Sequence, residues 1–240
     1  MKREYWSFPM YKEFRYEILK NNEGKYIKIL DFDDSTSSPT IPAYIDNLPV
    51  KVIGKDAFER SNIETIKLPK TLIEIEGYAF FNCKNLQKIS FPDSVSLIGH
   101  QVCGLCSRLQ EVKWSSSAHV IPSCAFYACF NLKNISNIDS VQIFNEYSFD
   151  KSGLEIITFP KNLIKVSQFA FGDCPNLKTI KMSNLPSIHK EAFEFSKNIQ
   201  IDYCGNSRVK EWAESQGIPI IDSKLNSFLK NINEDIETIK

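Results

Sequence analysis

The stretch Ile75-Glu76-Gly77-Tyr78-Ala79-Phe80-Phe81-Asn82-Cys83-Lys84-Asn85-Leu86-Gln87-Lys88-Ile89-Ser90-Phe91-Pro92 contains a phrase that recurs along the chain. An Ala-Phe pair is followed three positions later by Cys, and then by apolar residues at i, i+3 and i+5. The copies are 22 or 23 residues apart and are anchored at Phe58, Phe80, Cys103, Phe126, Phe149, Phe171 and Phe193. Self-similarity at such a period predicts a solenoid, in which one supersecondary unit stacks on copies of itself.

Each repeat places apolar residues at the same positions. In the second repeat the triplet is Leu86, Ile89 and Phe91, and its last two members alternate with polar residues, as in a strand. A second apolar pair, Val95 and Ile98 in this repeat, closes the unit. One repeat cannot bury these side chains alone, so stacking must bury them. The pattern predicts a continuous aromatic spine and parallel strands about 4.8 Å apart.

The departures from the pattern are also informative. Ser61 and Ser152 replace Cys, and the next apolar residue then arrives one position sooner, which shortens the loop. Cys103 stands in a Phe position. In the fourth repeat Asn137 occupies a position where a large apolar residue is expected, so this repeat is predicted to be the least regular.

The repeat resembles the BspA-type leucine-rich repeat. The segment Ile53-Gly54-Lys55-Asp56-Ala57-Phe58 carries the family pattern almost literally, as do Leu68-Pro69, Phe91-Pro92 and Ile98-Gly99. The resemblance covers about residues 14–221. It implies a mainly β repeat solenoid with a parallel strand ladder, an N-terminal β-hairpin cap and a C-terminal helical cap. It also implies a binding or adhesion role, since leucine-rich repeats usually bind on their concave strands.

The flanks suggest a division into four segments. Residues 1–52 break the period and are predicted to form a capping β segment, with strands around 14–18 and 26–30. The solenoid is expected over 53–204, and a helix-strand cap over 205–221, where Trp212 covers exposed core. Residues 222–240 place apolar residues on one face of a helical tail: Leu225, Phe228, Leu229, Ile232, Ile236 and Ile239. This tail either docks on the solenoid or forms a homodimer seam.

The composition limits the function classes. The chain has 240 residues with 29 basic and 29 acidic side chains, so no global field recruits nucleic acid or an anionic membrane. No apolar run approaches the ~20 residues of a membrane span. No secretory signal leads the sequence, which predicts a cytoplasmic protein. The family resemblance implies the alternative of a secreted or surface-displayed one.

Candidate chemistry is scarce. Cys103, Cys106, Cys124 and Cys129 have a spacing that faintly resembles a zinc site, but the repeat itself accounts for three of the four. The odd total of seven cysteines favours free thiols and a reducing compartment. The three histidines do not align with a common acid, and no phosphate-binding or catalytic motif occurs. We therefore expect neither a cofactor nor enzymatic activity.

The outward positions of the predicted strand ladder remain. They form a polar face with scattered positive charge that suits a protein ligand of unknown identity. The candidate binding residues are Lys67, Lys88, Glu111, Lys113, Asn134, Ile156, Thr158, Thr179 and Lys181. Ile156 is apolar in an exposed position and is the best single anchor. The alternatives are an adhesin that binds host matrix or glycan, and a purely structural spacer.

Overall fold

The computed structural model describes residues 8–227. A hairpin covers the first end of the solenoid, as predicted. It consists of β1 (Met10–Tyr11), β2 (Phe14–Asn21) and β3 (Gly24–Phe32), paired antiparallel. β4 (Tyr44–Ile45) pairs antiparallel with β5 (Leu48–Ile53). β5 also pairs with β3, in parallel. The rings of Phe14 and Phe32 lie 6.4 and 5.2 Å from the ring of Phe58, so the hairpin closes the aromatic spine.

Seven coils follow, numbered here from the anchor Phe58 to the anchor Phe193. Their first strands form ladder A, which is made of β7 (Lys88–Ser90), β9 (Glu111–Lys113), β11 (Asn134–Ser136), β13 (Ile156–Thr158), β15 (Thr179–Lys181) and β17 (Gln200–Asp202). Their second strands form ladder B with β5, and these are β6 (Glu74–Ile75), β8 (Leu97–Ile98), β10 (Val120–Ile121), β12 (Ile143–Phe144), β14 (Lys165–Val166) and β16 (Ser187–Ile188). All pairings between successive coils are parallel, which confirms the predicted solenoid.

The Ala-Phe turns make a third, unbroken side. The main-chain N–H of an anchor donates to the carbonyl of the residue that precedes the next anchor. Phe126 donates to Ser148 in this way at 2.9 Å, and Phe149 to Ala170 at 2.8 Å. The pattern needs left-handed backbone at fixed points of each coil, such as Tyr78, with a φ of 60°. These hydrogen bonds satisfy main-chain groups that would otherwise be buried without partners.

The anchors form the predicted spine, with one substitution. Ring centroids are 5.4 Å apart between Phe126 and Phe149, and 5.1 Å apart between Phe149 and Phe171. At coil 3, where Cys103 replaces Phe, the indole of Trp114 provides the ring contact to Phe126 at 5.9 Å, and its other ring neighbour is Phe91 at 5.1 Å. The Trp114 N–H donates to the Ala118 carbonyl at 2.9 Å, so this buried polar group is satisfied.

The Cys position of the repeat has a hydrogen-bonding role. The thiols of Cys83 and Cys106 donate to the carbonyls of Phe58 and Phe80, the anchors of the preceding coils, at 2.9 and 3.1 Å. Ser196 makes the same contact with its hydroxyl at 2.7 Å. A hydroxyl therefore serves at this position as a thiol does. In the two shortened loops the serines bond differently: Ser61 accepts the Ile63 N–H at 3.3 Å, and the Ser152 hydroxyl lies 3.5 Å from the Cys174 thiol.

Ladder B is interrupted between β8 and β10. In the other coils, the residue after the second strand donates its N–H to the preceding coil, as Gly99 does to Ile75 at 2.8 Å and Asn145 to Ile121 at 3.1 Å. In coil 3 this residue is Pro122, which has no N–H to donate. The interruption therefore follows directly from the sequence.

The last coil is closed by the predicted helix-strand cap. Helix α1 (Ser207–Ser215) begins at Asn206, whose side chain accepts the N–H groups of Arg208 and Val209. The helix buries Val209 and Ala213 against the core, and Trp212 packs beside them, half-buried. β18 (Ile220–Ile221) then pairs with β17 and covers the final edge of ladder A. Residues 223–227 form a helical turn, and the remainder of the predicted helical tail lies outside the described residues.

Candidate functional site

The outward face of ladder A holds the candidate binding residues in two rows. The residue before each buried middle position forms the first row and includes Lys88, Glu111, Asn134, Ile156 and Thr179; the residue after it forms the second and includes Lys67, Lys113, Thr158 and Lys181. Lys67 belongs to coil 1, where only an isolated parallel bridge to Thr40 forms. Seven of the nine side chains are exposed, all but Thr179 and Lys181.

The charges on this face are more balanced than the sequence interpretation suggested. The ammonium of Lys88 lies 2.8 Å from the carboxylate of Glu111 on the next strand. Lys113 lies 3.8 Å from Asp93. A hydrogen bond from the Ser116 N–H lowers the pKa of Asp93, and Asn137 and Lys113 act in the same direction. Acidic neighbours therefore offset two of the four lysines.

The prediction that Thr179 lies exposed is wrong. Only 7% of its surface is accessible. Gln200, on the next strand, donates from its side-chain amide to the Thr179 hydroxyl at 3.0 Å and covers it. Lys181 is half-buried at the same end of the ladder. The accessible part of the face therefore extends from coil 1 to coil 5.

A cleft divides ladder A between β11 and β13. The strands on either side belong to separate sheets. At each of the four other junctions between successive coils from coil 2 to coil 7, one main-chain hydrogen bond lies on either side of the paired strands. Between coils 3 and 4, for example, the Lys133 N–H donates to the Gln110 carbonyl and the Trp114 N–H to the Ser136 carbonyl, both at 2.9 Å. Neither has a counterpart between coils 4 and 5, both of which are fully described. The cleft has a volume of about 490 Å³ and is lined by residues 133–139 and 155–158.

Asn137 accounts for the opening. Its backbone is left-handed, with a φ of 63°. Its side-chain amide donates to the Trp114 carbonyl at 2.7 Å and to Asp93 at 2.9 Å, and both acceptors lie in earlier coils. An apolar residue here would turn into the core, as Phe159 does in coil 5. The fourth coil is therefore irregular, as predicted, because a polar residue binds back along the stack.

The cleft combines apolar and main-chain groups. Ile156 borders it with 54% of its surface exposed, whereas the neighbouring Ile157 is buried. The main-chain groups that pair across the other four intervals make no main-chain hydrogen bond across this one. An extended peptide can supply complementary N–H and carbonyl groups, and an apolar side chain can pack on Ile156.

A second cavity of about 390 Å³ lies at the C-terminal end. Phe193, Trp212 and Ile218 contribute to its lining, and the spine ends there with Phe193 stacked 5.9 Å from Phe171. Trp212 belongs to the cap that packs on the core. This arrangement is consistent with the predicted capping role of the tryptophan.

The thiols are placed for packing. Five of the seven cysteines are buried, and all seven are free. Burial raises the pKa of Cys83, Cys103 and Cys129, and raises that of Cys174 to about 11. Across residues 8–227, no three His, Cys, Asp or Glu side chains are grouped in a way that could hold a metal ion.

We expect the cysteines to divide into two reactivity classes. Cys124 and Cys204 are partly accessible, whereas the other five are sealed in the stack. A thiol reagent added to the native protein should therefore label two residues, and five more only after denaturation, because burial in the stack denies the reagent access to those five. Peptide mapping of the labelled sites checks this. Fast native labelling of Cys106 would contradict the assignment of the repeat position.

No helix in the described part of the chain is long and apolar enough to cross a lipid bilayer.

Comparison with known proteins agrees with this architecture. A family model described as BspA type leucine rich repeat region, in six copies, matches residues 33–153 and 119–236. No curated protein matches the chain.

Several solved structures share the fold. A leucine-rich repeat protein of Eubacterium ventriosum is 22% identical, with a TM-score of 0.63, over 76% of this chain and 50% of that one. A leucine rich cell surface protein of Faecalibacterium prausnitzii is 22% identical, with a TM-score of 0.55, over 72% and 53%. The Treponema pallidum leucine-rich repeat protein is 20% identical, with a TM-score of 0.57, over 89% and 98%. The chain thus spans about half the length of two of these three. On the family match and the stacked coils described above, the chain belongs to the BspA-type leucine-rich repeat family.

Proposed function

We propose that this protein is a recognition module that binds an extended segment of a protein ligand across ladder A, with the cleft between β11 and β13 as the centre of the site. The observation that carries the proposal is the break in the ladder beside the exposed Ile156. The fold is a non-enzymatic repeat scaffold, and scaffolds of this kind present preformed surfaces. Preformed strands lower the ordering cost of association.

The ligand is expected to use both the main chain and one apolar side chain. Hydrogen bonds to the open strand edges would set its direction, as in β-strand addition. Ile156 would provide the apolar contact, and the exposed Thr158 and Asn134 would border it. Lys67, nearer the first coil, lies on the same face and would favour an acidic residue in the ligand, whereas Lys88 and Lys113 are already paired with Glu111 and Asp93.

The binding test compares two substitutions of similar exposure. Ile156→Asp should weaken ligand binding at least about tenfold, since it removes a central apolar contact and adds a charge. Ile18→Asp, on the hairpin with 49% exposure, is the matched control and should bind like the wild type. The probe is an array of extended peptides, and hits are measured by fluorescence anisotropy. Equal binding by both variants, or the absence of any peptide hit, would contradict the site.

A surface-displayed version of the same function is the second candidate. It rests on the similarity in fold to the F. prausnitzii protein, which is a cell surface protein. Affinity capture from culture medium and from cell lysate distinguishes the two. A ligand that depends on Ile156 and comes only from the medium favours surface display, and one that comes only from the lysate favours an intracellular role.

A further inference from the structure

The outward side of ladder B carries an aliphatic stripe that the proposed site does not use. Leu97, Val120 and Ile143 are the outward residues of β8, β10 and β12, and the first two are 60% and 37% exposed. Ile73 and Ile164 lie in the adjacent row with exposures of 39% and 58%. Contiguous apolar residues on an open sheet face are typical of an interaction surface.

The order of residues in these two rows is nearly palindromic over coils 1–5. The first row reads Glu74, Leu97, Val120, Ile143 and Lys165; the second reads Ile73, Ser96, His119, Gln142 and Ile164. Coils 2 and 3 stay in register despite Pro122, because main-chain hydrogen bonds on either side join them. The Gln101 N–H donates to the Ser123 carbonyl at 2.9 Å, and the Gln110 N–H donates to the Gln87 carbonyl at 2.8 Å. When either row is read in reverse, each apolar residue falls on an apolar one and each polar residue on a polar one. In the first row the acid Glu74 falls on the base Lys165.

We propose that this face binds a second copy of the chain about a two-fold axis that runs along the strands between the two copies of coil 3. Coil 1 of one copy then faces coil 5 of the other. Glu74 meets Lys165, Leu97 meets Ile143, and Val120 meets its own equivalent. Such an interface is isologous, since the same patch serves both copies.

The charges select this axis over the alternative. A two-fold axis along the stack would place coil 1 against coil 1. Over the first row it sets Glu74 against Glu74 and Lys165 against Lys165, which is repulsive, and between the rows it sets the apolar residues of one row against the polar residues of the other. Lys28 is already paired with Glu76 at 2.8 Å and with Glu17 at 3.8 Å. Within residues 8–227, neither Glu74 nor Lys165 has an oppositely charged group within ion-pair distance, while Lys28 acts on Glu74 and Lys165 acts on Glu146 at longer range.

The size of the stripe sets the strength of the dimer. Five coils at about 4.8 Å spacing give rows about 20 Å long. The two rows form a strip about 20 Å long and only two residues wide, which covers less than the ~800 Å² per partner of a standard interface, so the dimer is weak, with a dissociation constant in the micromolar range or above. The face is separate from ladder A, and its test is independent of the proposed ligand.

Sedimentation equilibrium of the full chain over a roughly hundredfold concentration range tests the proposal by mass action. The wild type should approach a dimer at high concentration. Leu97→Glu should weaken association at least about tenfold. Phe130→Asp, at a side chain that is 55% exposed in a loop outside ladders A and B, is the matched control and should associate like the wild type.

A charge reversal tests the orientation. Glu74→Lys and Lys165→Glu should each weaken the dimer several-fold, and the double variant should restore it, because the pair is only exchanged between copies. A wild type that stays monomeric throughout would overturn the proposal, as would a dimer that tolerates Leu97→Glu. Association lost in Ile236→Asp but kept in Leu97→Glu would assign the dimer to the C-terminal tail instead. Failure of the double variant to recover would overturn the antiparallel arrangement.

Discussion

Replacing Phe126 with Ala is expected to lower the free energy of unfolding by about 3–5 kcal/mol. Phe126 is fully buried, and its ring stacks on Phe149 at 5.4 Å and meets Trp114 edge-on at 5.9 Å. The neighbouring rings are themselves held in the stack, Phe149 against Phe171 at 5.1 Å and Trp114 by its N–H to the Ala118 carbonyl, so they can fill the space only in part. The substitution therefore leaves a cavity at the centre of the spine. Urea denaturation followed by circular dichroism measures the loss.

Lys113→Ala is the control for this prediction. Lys113 is exposed on ladder A, and its contact with Asp93 at 3.8 Å is a surface ion pair. Such pairs contribute little, so the stability should change by less than about half a kcal/mol. Similar losses for the two variants would contradict the assignment of spine and face.

The regular part of the fold was predictable because the period assigns one environment to each position. Once the Phe anchors are aligned, the positions of Phe149 and Cys83 in the core follow, since equivalent residues stack on each other. The irregular coil was predictable for the same reason: Asn137 places a polar group where the period requires an apolar one. The interruption of ladder B also has a sequence signal, Pro122, which the pattern of apolar residues alone does not draw attention to.

Other features depend on contacts between coils that the period does not specify. Thr179 occupies an outward position but is buried, because Gln200 of the last coil bonds to its hydroxyl. Cys103 offers Phe126 no ring, and the ring that meets Phe126 on that side, Trp114, is identified only by the packing. The cleft itself depends on where the Asn137 side chain finds acceptors, and these lie in two earlier coils.

Replacing Gly153 with Ala is expected to destabilise the protein by about 3 kcal/mol. Coil 5 is one residue short, so the chain passes through Gly153 close against coil 4, and the Gly153 N–H donates to the Cys129 carbonyl at 3.1 Å. A methyl group at Gly153 would lie 2.2 Å from the carbonyl oxygen of Phe130 and 2.9 Å from its carbonyl carbon. Both are main-chain atoms, so relief requires the two coils to separate rather than a side chain to rotate. Thermal unfolding and urea titration should agree on the loss.

Asn62 provides the matched control, since it occupies the same position in the other shortened loop. Asn62 directly precedes the buried Ile63, as Gly153 directly precedes the buried Leu154. Asn62 faces the N-terminal cap, however, whereas Gly153 faces a full coil. Asn62 is exposed, and its main-chain N–H, which bonds to Asp34 at 3.0 Å, is kept in the variant. Asn62→Ala should therefore change stability by less than about half a kcal/mol. If Gly153→Ala were equally mild, the close approach of coils 4 and 5 would be refuted, and the shortened loop would not hold the two sides of the cleft together.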